Sequence, residues 1–429
     1  MKEVFKQIIK EFQVQIPRKK VFKRDLKIPT DSNKIIALIG TRRCGKTYYF
    51  YSMINDLLVK GIKPQQIIYI NFEDERLNLK SNDLQSVLDA YYELYPANRS
   101  EDIYLFFDEI QEVENWEKFI TRIYSSVSKK IFITGSSSKM LSSEIATQLR
   151  GRSISYTLYP LSLNEYCGFA NISTEDIYSS RNRAAVQSAF NKYLFEGGYP
   201  ETVNCEPEIQ KKILQSYFDV MIFRDIVERY NIKNSIVLKR FIKQMMSTVS
   251  SEFSINKIYN DLKSNGFHTS KDKLYSYLEY CRDCFLFFVV HQNEISYRKQ
   301  QKKNKKIYAA DNGLLSAINY TFSQNKGKQL ENLIFLHLIK RYEQVHYYHN
   351  GFECDFLIIE NEQITKIIQV CYDISNTVTR KREIGALIKL SEIYPEADLL
   401  LLNSNEEIDV MIEENRIQII PAWKWCLEI

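Results

Sequence analysis

Glycine and proline are scarce in this chain, with 13 and 9 among 429 residues, and the sequence contains neither a low-complexity tract nor an internal repeat. Long disordered linkers are usually rich in such residues, so we expect the chain to be folded over most of its length. The sequence also lacks a run of about 18 apolar residues, which a membrane-spanning helix requires. These absences predict a folded protein of roughly two to four domains, with no membrane partner.

The eight cysteines do not follow the spacing of a disulfide framework. Scattered thiols in a long chain indicate a reducing compartment, so we expect a cytoplasmic protein. The first residues, MKEVFKQIIKEF, carry charge throughout and do not match a secretory signal. The pair Cys281 and Cys284 has no second CxxC to complete a zinc site, which favours thiols in a helix-end core.

Positive charge is modest overall, at +5, but it is clustered. One basic run is RKKVFKRDLK (18–27), and the other is RKQQKKNKK (298–306). Clustered lysine and arginine suit a phosphate-rich partner, although a solvated loop would have the same composition.

A phosphate-binding motif follows a short apolar segment. Residues 34–40 read KIIALIG, which is typical of a buried parallel strand, and residues 40–47 read GTRRCGKT before a helical stretch. This is the P-loop pattern in its required strand–loop–helix context. Lys46 is expected to reach the β- and γ-phosphates of ATP, and the Thr47 hydroxyl to coordinate Mg²⁺. The predicted nucleotide-binding residues are Gly40, Thr41, Arg42, Arg43, Cys44, Gly45, Lys46, Thr47 and Tyr48.

An acidic pair ends another apolar strand, IYLFF (103–107). Asp108 is expected to hold the magnesium ion, and Glu109 to orient and polarise the attacking water. A third strand, KIFIT (130–134), leads to Ser136, which could contact the γ-phosphate or simply cap a helix. With QIIYIN (66–71) and SISYTL (153–158), the sequence predicts five parallel strands covered by helices.

Arginines precede the last of these strands. Arg152, or its neighbour Arg150, could act as a finger that stabilises charge on the transferring phosphoryl group, within its own subunit or on a neighbouring one. The alternative is an ordinary surface arginine.

These pieces together resemble a family of bacterial and archaeal AAA-type ATPases that carry a C-terminal domain of unknown function. The resemblance rests on GTRRCGKT, IYLFFDEIQEVENWEKFI, IFITGSSSKML and LRGRSISYTLYPLSLNEY, and it continues through FEGGYPE (195–201), RDIVERYNI (224–232), KIYAADNGLL (306–315), ENLIFLHL and CDFLII. It implies an AAA-type ATPase core that works as a homo-oligomer, with a hexameric ring as one form.

The fold class that we predict is α/β, with several parts in sequence. They are an N-terminal helix and basic segment (1–33), a P-loop AAA-type ATPase core (34–165), a helical lid segment (166–235), a winged helix-turn-helix (236–320) and a restriction-endonuclease-like α/β domain (327–429).

The winged helix is predicted from three helices followed by two strands that flank the basic run. Its third helix would enter the major groove of DNA with Ser270, Lys271, Lys273 and Tyr277 exposed, and the basic loop would neutralise phosphates. A winged helix used only for protein contacts is the alternative. The predicted nucleic-acid contacts are Lys271, Lys273, Arg298, Lys299, Lys302, Lys303, Lys305 and Lys306.

The C-terminal segment reads helix, three strands, helix, strand. This order, with Glu331, Asp355 and Gln369, resembles a restriction-endonuclease-like nuclease, in which carboxylates bind a metal and a lysine two residues beyond the Gln or Glu helps to activate water. Cys371 stands at the lysine position, and a thiol near neutral pH carries no positive charge. We therefore expect Glu331, Asp355 and Gln369 to be a nuclease-like remnant with cleavage lost or weak, although Glu353 could also bind metal.

The sequence thus favours an ATPase, with ATP and Mg²⁺ as cofactors, that acts on duplex or branched DNA. A signalling or defence switch that recognises a protein partner and an active ATP-dependent nuclease are the alternatives.

Overall fold

The computed structural model describes residues 1–16, 19–100, 102–135, 147–294, 303–318, 325–412 and 415–428. The chain divides into two compact units, Met1–Tyr159 and Pro160–Ile429, and each is described by itself. None of the helices in this described part combines the length and apolar character that crossing a membrane requires.

The first unit is built on a five-stranded sheet in which every neighbouring pair is parallel. The strand order is β2-β3-β4-β1-β5, so β4 lies between the P-loop strand β1 and the acidic strand β3. The predicted set of five parallel strands is confirmed. In chain order the elements are α1 (Lys2–Gln15), β1 (Ile35–Gly40), α2 (Lys46–Val59), β2 (Ile67–Asn71), α3 (Gln85–Leu94), β3 (Tyr104–Asp108), α4 (Trp116–Ser126), β4 (Ile131–Gly135) and β5 (Ser153–Leu158).

Helix α1 is amphipathic and belongs to the core of the first unit. Its apolar residues Phe5, Ile8, Ile9 and Phe12 are buried at helical spacing. It packs on α3 and β2, and the ring of Phe12 stacks on that of Tyr69 with centroids 4.4 Å apart. The helix therefore stabilises the sheet instead of standing apart from it.

The second unit begins with helices and a small antiparallel sheet of order β6-β8-β7. One segment, Met221–Glu228, is a π-helix. The elements are α5 (Leu163–Phe169), α6 (Ser180–Glu196), α7 (Pro207–Val220), α8 (Ser235–Ser247), β6 (Ser251–Phe253), α9 (Ile255–Ser264), α10 (Lys271–Asp283), β7 (Phe287–His291), β8 (Lys305–Ala309) and α11 (Asn312–Ile318).

A six-stranded mixed sheet, of order β13-β14-β12-β11-β10-β9, forms the rest of this unit. The elements are α12 (Lys326–Arg341), β9 (Gln344–His349), β10 (Glu353–Glu360), β11 (Gln363–Val370), α13 (Thr377–Ser391), β12 (Asp398–Asn403), β13 (Ile408–Ile412), β14 (Asn415–Pro421) and α14 (Ala422–Glu428). Helices α5 and α6 share one hydrophobic core with α12, α14 and this sheet.

Two glycine-containing segments of the sequence meet at a buried aspartate. Asp311 accepts hydrogen bonds from the backbone N–H groups of Gly198 (2.6 Å) and Leu314 (2.8 Å), and burial raises its pKa to about 6. At Gly313 an added Cβ would lie 1.9 Å from the carbonyl oxygen of Glu196. The segments FEGGYPE and KIYAADNGLL therefore join the end of α6 to the start of α11.

Candidate functional site

The loop between β1 and α2 depends on glycine at both ends. Gly40 has φ +145°, and a Cβ there would lie 2.1 Å from the carbonyl oxygen of Leu158 on β5. Gly45, with φ +99°, is the N-cap of α2. Only glycine adopts such angles without strain, so these two residues allow the loop to turn with its amides at the helix N-terminus.

Lys46 and Thr47 occupy the first turn of α2. The Lys46 side chain is buried, and its Nζ donates to the carbonyl oxygens of Gly40 and Thr41, both at 3.2 Å. The same Nζ lies 4.0 Å from Oε1 of Glu109. Thr47 Oγ1 donates to Oδ2 of Asp108 at 2.7 Å. The structure thus brings together four residues that the sequence singles out.

Asp108 is a fully buried carboxylate at the end of β3. Burial and then the adjacent charge of Glu109 raise its pKa, and hydroxyl donors oppose that rise. Besides Thr47, these donors are Tyr69, at 2.8 Å from Oδ2, and Thr134, which donates to Oδ1. A divalent cation at this carboxylate would favour its ionised form.

Tyr69 and Thr134 were missed by the sequence reasoning. Tyr69 is the middle residue of β2 and Thr134 the penultimate residue of β4, on the two strands that flank the strand carrying Asp108. Because the carboxyl ends of parallel strands meet at one edge, the position of Thr134 near the end of an apolar strand is a signal that identifies it, whereas Tyr69, in the middle of its strand, offers no such signal.

Glu109 is held in a defined position. Its backbone lies in the left-handed region with φ +52°, and its N–H donates to the Thr134 hydroxyl at 3.0 Å. Its Oε2 accepts from Nε2 of Gln111 at 2.5 Å. Thr134 therefore connects the two acidic residues, since it binds the side chain of Asp108 and the backbone of Glu109.

The residues of this site fit a nucleotide and a magnesium ion. The Thr41 hydroxyl is buried in the loop and has no hydrogen-bond partner among the described residues, so a phosphate oxygen could accept from it. Thr47 and Asp108 present adjacent hard oxygen atoms, the kind of ligand that magnesium prefers.

Of the remaining loop residues, Arg42 lies 3.7 Å from Glu73, Cys44 is buried, and Tyr48 is 60% exposed. Arg43 has φ +66°. Ser136 lies outside the described residues.

Family comparisons bear on this unit and on part of the next. Residues 32–167 match a family described as an AAA domain, and residues 187–325 match a domain of unknown function (DUF8612). The uncharacterized protein MJ1544 of Methanocaldococcus jannaschii is 38% identical over 99% of this chain and 96% of its own length. An uncharacterized protein of Haemophilus influenzae is 30% identical over 93% of this chain and 95% of its own length. The chain belongs to this family of AAA-domain proteins.

Solved structures are less similar. The Aeropyrum pernix ORC1 protein in complex with DNA matches at a TM-score of 0.29 and 12% identity, over 75% of this chain and 92% of that one. The C. elegans PCH-2 structure matches at a TM-score of 0.24 and 14% identity, over 43% of this chain and 48% of that one. At these TM-scores neither structure supports a conclusion about the fold or function of this AAA-domain protein.

Arg152 lies at the opposite edge of the AAA-domain sheet from the P-loop. Its carbonyl oxygen accepts from the N–H of Ile35, the first residue of β1, whereas the P-loop follows the last residue of that strand. The length of β1 places them roughly 16 Å apart along the strand. Its guanidinium lies 5.9 Å from the ring centroid of Tyr124. Arg152 and its neighbour Arg150 therefore do not contact the P-loop of their own chain in this structure.

The first basic run has a structural role in the AAA-domain unit. Arg24 donates to the carbonyl oxygens of Cys44 (2.9 Å) and Tyr159 (2.7 Å), and the hydroxyl of Tyr49 donates to the carbonyl oxygen of Leu26 (2.8 Å). This run therefore packs against the P-loop and α2.

Two of the predicted nucleic-acid residues of the second unit, Lys271 and Lys273, are exposed on the first turn of α10. Lys303 is exposed and Lys305 half-buried. Tyr277 is buried in the helical core, so its predicted exposure is wrong. Arg298, Lys299 and Lys302 lie outside the described residues.

The prediction that Lys306 contacts nucleic acid is wrong, because its side chain is only 2% exposed and cannot contact a phosphate backbone from a wing. Its Nζ lies 3.0 Å from Oε1 of Glu331, 2.6 Å from Oε1 of Glu353 and 3.0 Å from Oδ1 of Asp355. Burial opposes its charge, but the surrounding acidic groups, Glu331 first, raise the pKa of Lys306 well above its usual range.

The predicted nuclease-like residues are brought together around this lysine. The Asp355 N–H donates to Oε1 of Gln369 at 3.2 Å, and Asp355 Oδ2 accepts from the N–H of Val370 at 3.0 Å. Gln369 in turn donates to Oε2 of Glu383 at 2.5 Å. Cys371 is half-buried beside them, and burial raises its pKa to about 11, which keeps the thiol neutral.

Proposed function

We propose that this AAA-domain protein is a magnesium-dependent ATPase that acts on DNA as a homo-oligomer. The observation that carries the ATPase is the Thr47–Asp108 hydrogen bond beneath the P-loop, with Lys46 and Glu109 on either side. Lys46 would neutralise the β- and γ-phosphates, and Thr47 and Asp108 would hold the magnesium ion, which supplies charge stabilisation at the transferring phosphoryl group.

Glu109 has the geometry of a general base. Its Oε1 lies near the lysine that would hold the γ-phosphate, and Gln111 and Thr134 fix its orientation. From there it would accept a proton from a water molecule aligned with the γ-phosphorus. Arg152, at the other sheet edge, would serve as a finger only for the site of a neighbouring subunit.

Two features support DNA as the partner. Helices α8, α9 and α10 with the sheet β6-β8-β7 are the elements of a winged helix-turn-helix. Lys271 and Lys273 are exposed at the start of α10, the end that contacts base edges and phosphates in such folds. The mixed α/β domain beyond α12 would have a restriction-endonuclease-like fold.

A protein partner is the second candidate, because α10 also exposes Tyr275, at 51%. An aromatic ring beside the lysines suits a protein surface as well as DNA.

The test is ATP turnover with duplex, four-way-junction or single-stranded DNA at two salt concentrations. We expect stimulation by one DNA form that weakens as salt rises, because phosphate contacts release counterions. Turnover and binding that are indifferent to every DNA would favour the protein partner.

Two variants test the chemistry of the P-loop. Lys46→Ala should abolish nucleotide binding or turnover, whereas Glu109→Gln should keep ATP bound and slow hydrolysis by about 100-fold or more. Rapid turnover by Glu109→Gln would show that Glu109 is not the base.

A further inference from the structure

The segment 19–28 runs through the first unit beside the P-loop and contains neither helix nor strand. One side of this 19–28 segment is fixed to the fold. The guanidinium of Arg24 donates to two backbone carbonyl oxygens, one of them in the P-loop. Val21, Leu26 and Ile28 pack against the core that α2 shares with β1. The backbone is therefore held in place although it has no regular secondary structure.

The other side of the 19–28 segment presents cations and an aromatic ring. Lys20, Lys23 and Lys27 are exposed, and Phe22, which lies between the first two, is 49% exposed. Asp25 is the only acidic residue of the segment. This side therefore carries an excess of positive charge around an accessible ring.

A second exposed ring stands next to the start of the 19–28 segment. The Nζ of Lys19 lies 4.5 Å from the centroid of the buried Tyr51 ring. That ring meets the ring of Tyr48 edge-on, with centroids 5.6 Å apart, and Tyr48 is 60% exposed. The segment thus adjoins an exposed aromatic side chain of α2.

This combination of side chains suits an unpaired strand of DNA. Lysines on a fixed backbone attract phosphates, and an exposed aromatic ring offers a surface on which a base can stack. In a duplex the faces of each base are covered by neighbouring bases, so stacking on Phe22 requires an unpaired base. A solvated loop would account for the lysines, but it gives no role to a phenylalanine that is exposed between them.

We propose that the 19–28 segment binds single-stranded DNA, with a base stacked on Phe22 and with Lys20 and Lys23 on the adjacent phosphates. This site is separate from α10, whose lysines are proposed to contact duplex DNA. It rests on the proposed DNA-acting function for its polymer class, but its binding is measured without ATP turnover. Because Arg24 links the segment to the P-loop, a strand bound here lies next to the nucleotide site.

The experiment measures the binding of three labelled ligands to the full-length chain by fluorescence anisotropy. They are an oligo(dT) strand of about 12 nucleotides, an abasic strand of the same length, and a duplex. The abasic strand keeps every phosphate but has no base to stack, so its comparison with oligo(dT) isolates the stacking contribution. The titrations are repeated at several salt concentrations and with polyglutamate as a competitor.

The variants separate the ring from the charges. Phe22→Ala removes the ring, Phe22→Trp keeps an aromatic ring, and Lys20→Ser with Lys23→Ser removes two charges. The matched control is Lys118→Ser with Lys129→Ser, which removes two exposed lysines of the same unit. These lie on or just after α4, which packs on the opposite face of the sheet from α2, since adjacent residues of β3 contact the two helices.

We expect Phe22→Ala to weaken oligo(dT) binding by about 5-fold or more and to leave binding of the abasic strand unchanged. Phe22→Trp should retain oligo(dT) binding, and stacking should quench the fluorescence of the added indole. Lys20→Ser with Lys23→Ser should weaken the binding of both strands. It should also reduce the slope of log K against log salt by about 1.4, because each phosphate contact of a single strand contributes about 0.7. The control should bind like the unaltered chain.

Equal affinity of the unaltered chain for oligo(dT) and for the abasic strand would overturn the proposal, as would an equal loss for both strands in Phe22→Ala. Displacement by polyglutamate that is as effective as displacement by unlabelled oligo(dT) would overturn it in favour of an acidic protein partner.

A further variant, Lys271→Ser with Lys273→Ser, separates this proposal from the function proposed above. Retained oligo(dT) binding with lost duplex binding in that variant would support the 19–28 site, whereas loss of both would overturn it. ATP turnover is recorded separately. Turnover that responds to no DNA, while oligo(dT) still binds through Phe22, would refute the DNA-acting ATPase alone.

Discussion

A single hydroxyl, that of Thr134, links the two acidic residues of the nucleotide site. It donates to the side chain of Asp108 and accepts from the backbone N–H of Glu109. The carboxylate proposed to bind the metal ion and the residue proposed as general base therefore share this hydrogen-bond partner.

Replacing this hydroxyl should affect chemistry more than binding. We expect Thr134→Val to lower the ATP turnover rate by about 10-fold or more, because Asp108 and Glu109 lose their common partner, while nucleotide affinity changes little. Turnover and nucleotide titrations measure the two effects. Thr134→Ser, which keeps the hydroxyl, is the matched control, and equal turnover in both variants would argue against the role of the hydroxyl.

His337 is a second residue with a measurable consequence. Its Nδ1 lies 3.0 Å from the carbonyl oxygen of Leu333, and its Nε2 accepts from the N–H of Leu163 at 3.4 Å, so the buried ring is neutral. Burial lowers its pKa to about 3.

Because this pKa is below that of an unfolded histidine, the stability from the neutral ring is present above pH 6.5 and is lost as pH falls toward 3. Between pH 6.5 and 5 we expect the unfolding free energy to drop by about 2 kcal/mol from this group. Urea unfolding at several pH values measures it. His337→Gln should flatten this part of the profile, whereas a change at the exposed His268 should not. An unaltered profile in His337→Gln would contradict the assignment.

At the scale of elements, the sequence predicts the AAA-domain strands well because β1 to β4 are short, almost wholly buried apolar runs, whereas the edge strand β5 is mostly half-buried. It also predicts the helix and strand order from α12 to β12. It does not indicate β13, whose residues 408–412 read IDVMI with mostly exposed or half-buried side chains, or β14, in which buried residues alternate with half-buried ones. An edge hairpin of this kind lacks the continuous apolar signal of a buried strand.

The basic run 298–306 shows that the start of a strand, and not the number of lysines, decides which lysine side chains are exposed. Lys305 and Lys306 are residues of the same type. Because β8 begins at Lys305, their side chains point to opposite faces of the strand. The sequence predicts a strand here. The two-residue period of a strand would have placed the side chain of Lys306 on the face opposite to that of Lys305, and so away from the wing. The charge partners on α12 and β10 could not be foreseen, because they are distant in the chain.

The junction of α6 and α11 should be among the positions least tolerant of added volume. We expect Gly313→Ala to lower the unfolding free energy by about 3 kcal/mol or more, because its Cβ would meet a backbone oxygen of Glu196. Urea midpoints provide the measurement. Gly168→Ala, at an exposed position of α5 where a Cβ meets open space, is the control and should be neutral or slightly stabilising. A small effect at Gly313 would mean that α11 can shift away.

At the scale of the whole molecule, the distance of Arg152 from its own P-loop means that subunit exchange can test whether it acts on a neighbouring subunit. Lys46→Ala keeps the arginine but loses its own nucleotide site, while Arg152→Ala keeps the site but loses the proposed finger. If the finger acts on a neighbouring subunit, mixing the two inactive variants should restore up to about a quarter of ATP turnover through hybrid interfaces. Each variant mixed with itself is the control, and no recovery in oligomers shown to exchange would exclude the finger.

Helix α1 and the segment that carries Arg24 limit how far the chain can be shortened from its N-terminal side. A fragment that starts at Ile35 would retain every P-loop residue, yet it would lose the ring that stacks on Tyr69 and the guanidinium that binds the carbonyl oxygen of Cys44. Such a fragment would expose the face of β2 that α1 covers, and the P-loop would lose its hydrogen bond from Arg24. A fragment of the AAA-domain unit should therefore begin at residue 1, because the P-loop segment alone lacks the contacts that hold the loop in its folded shape.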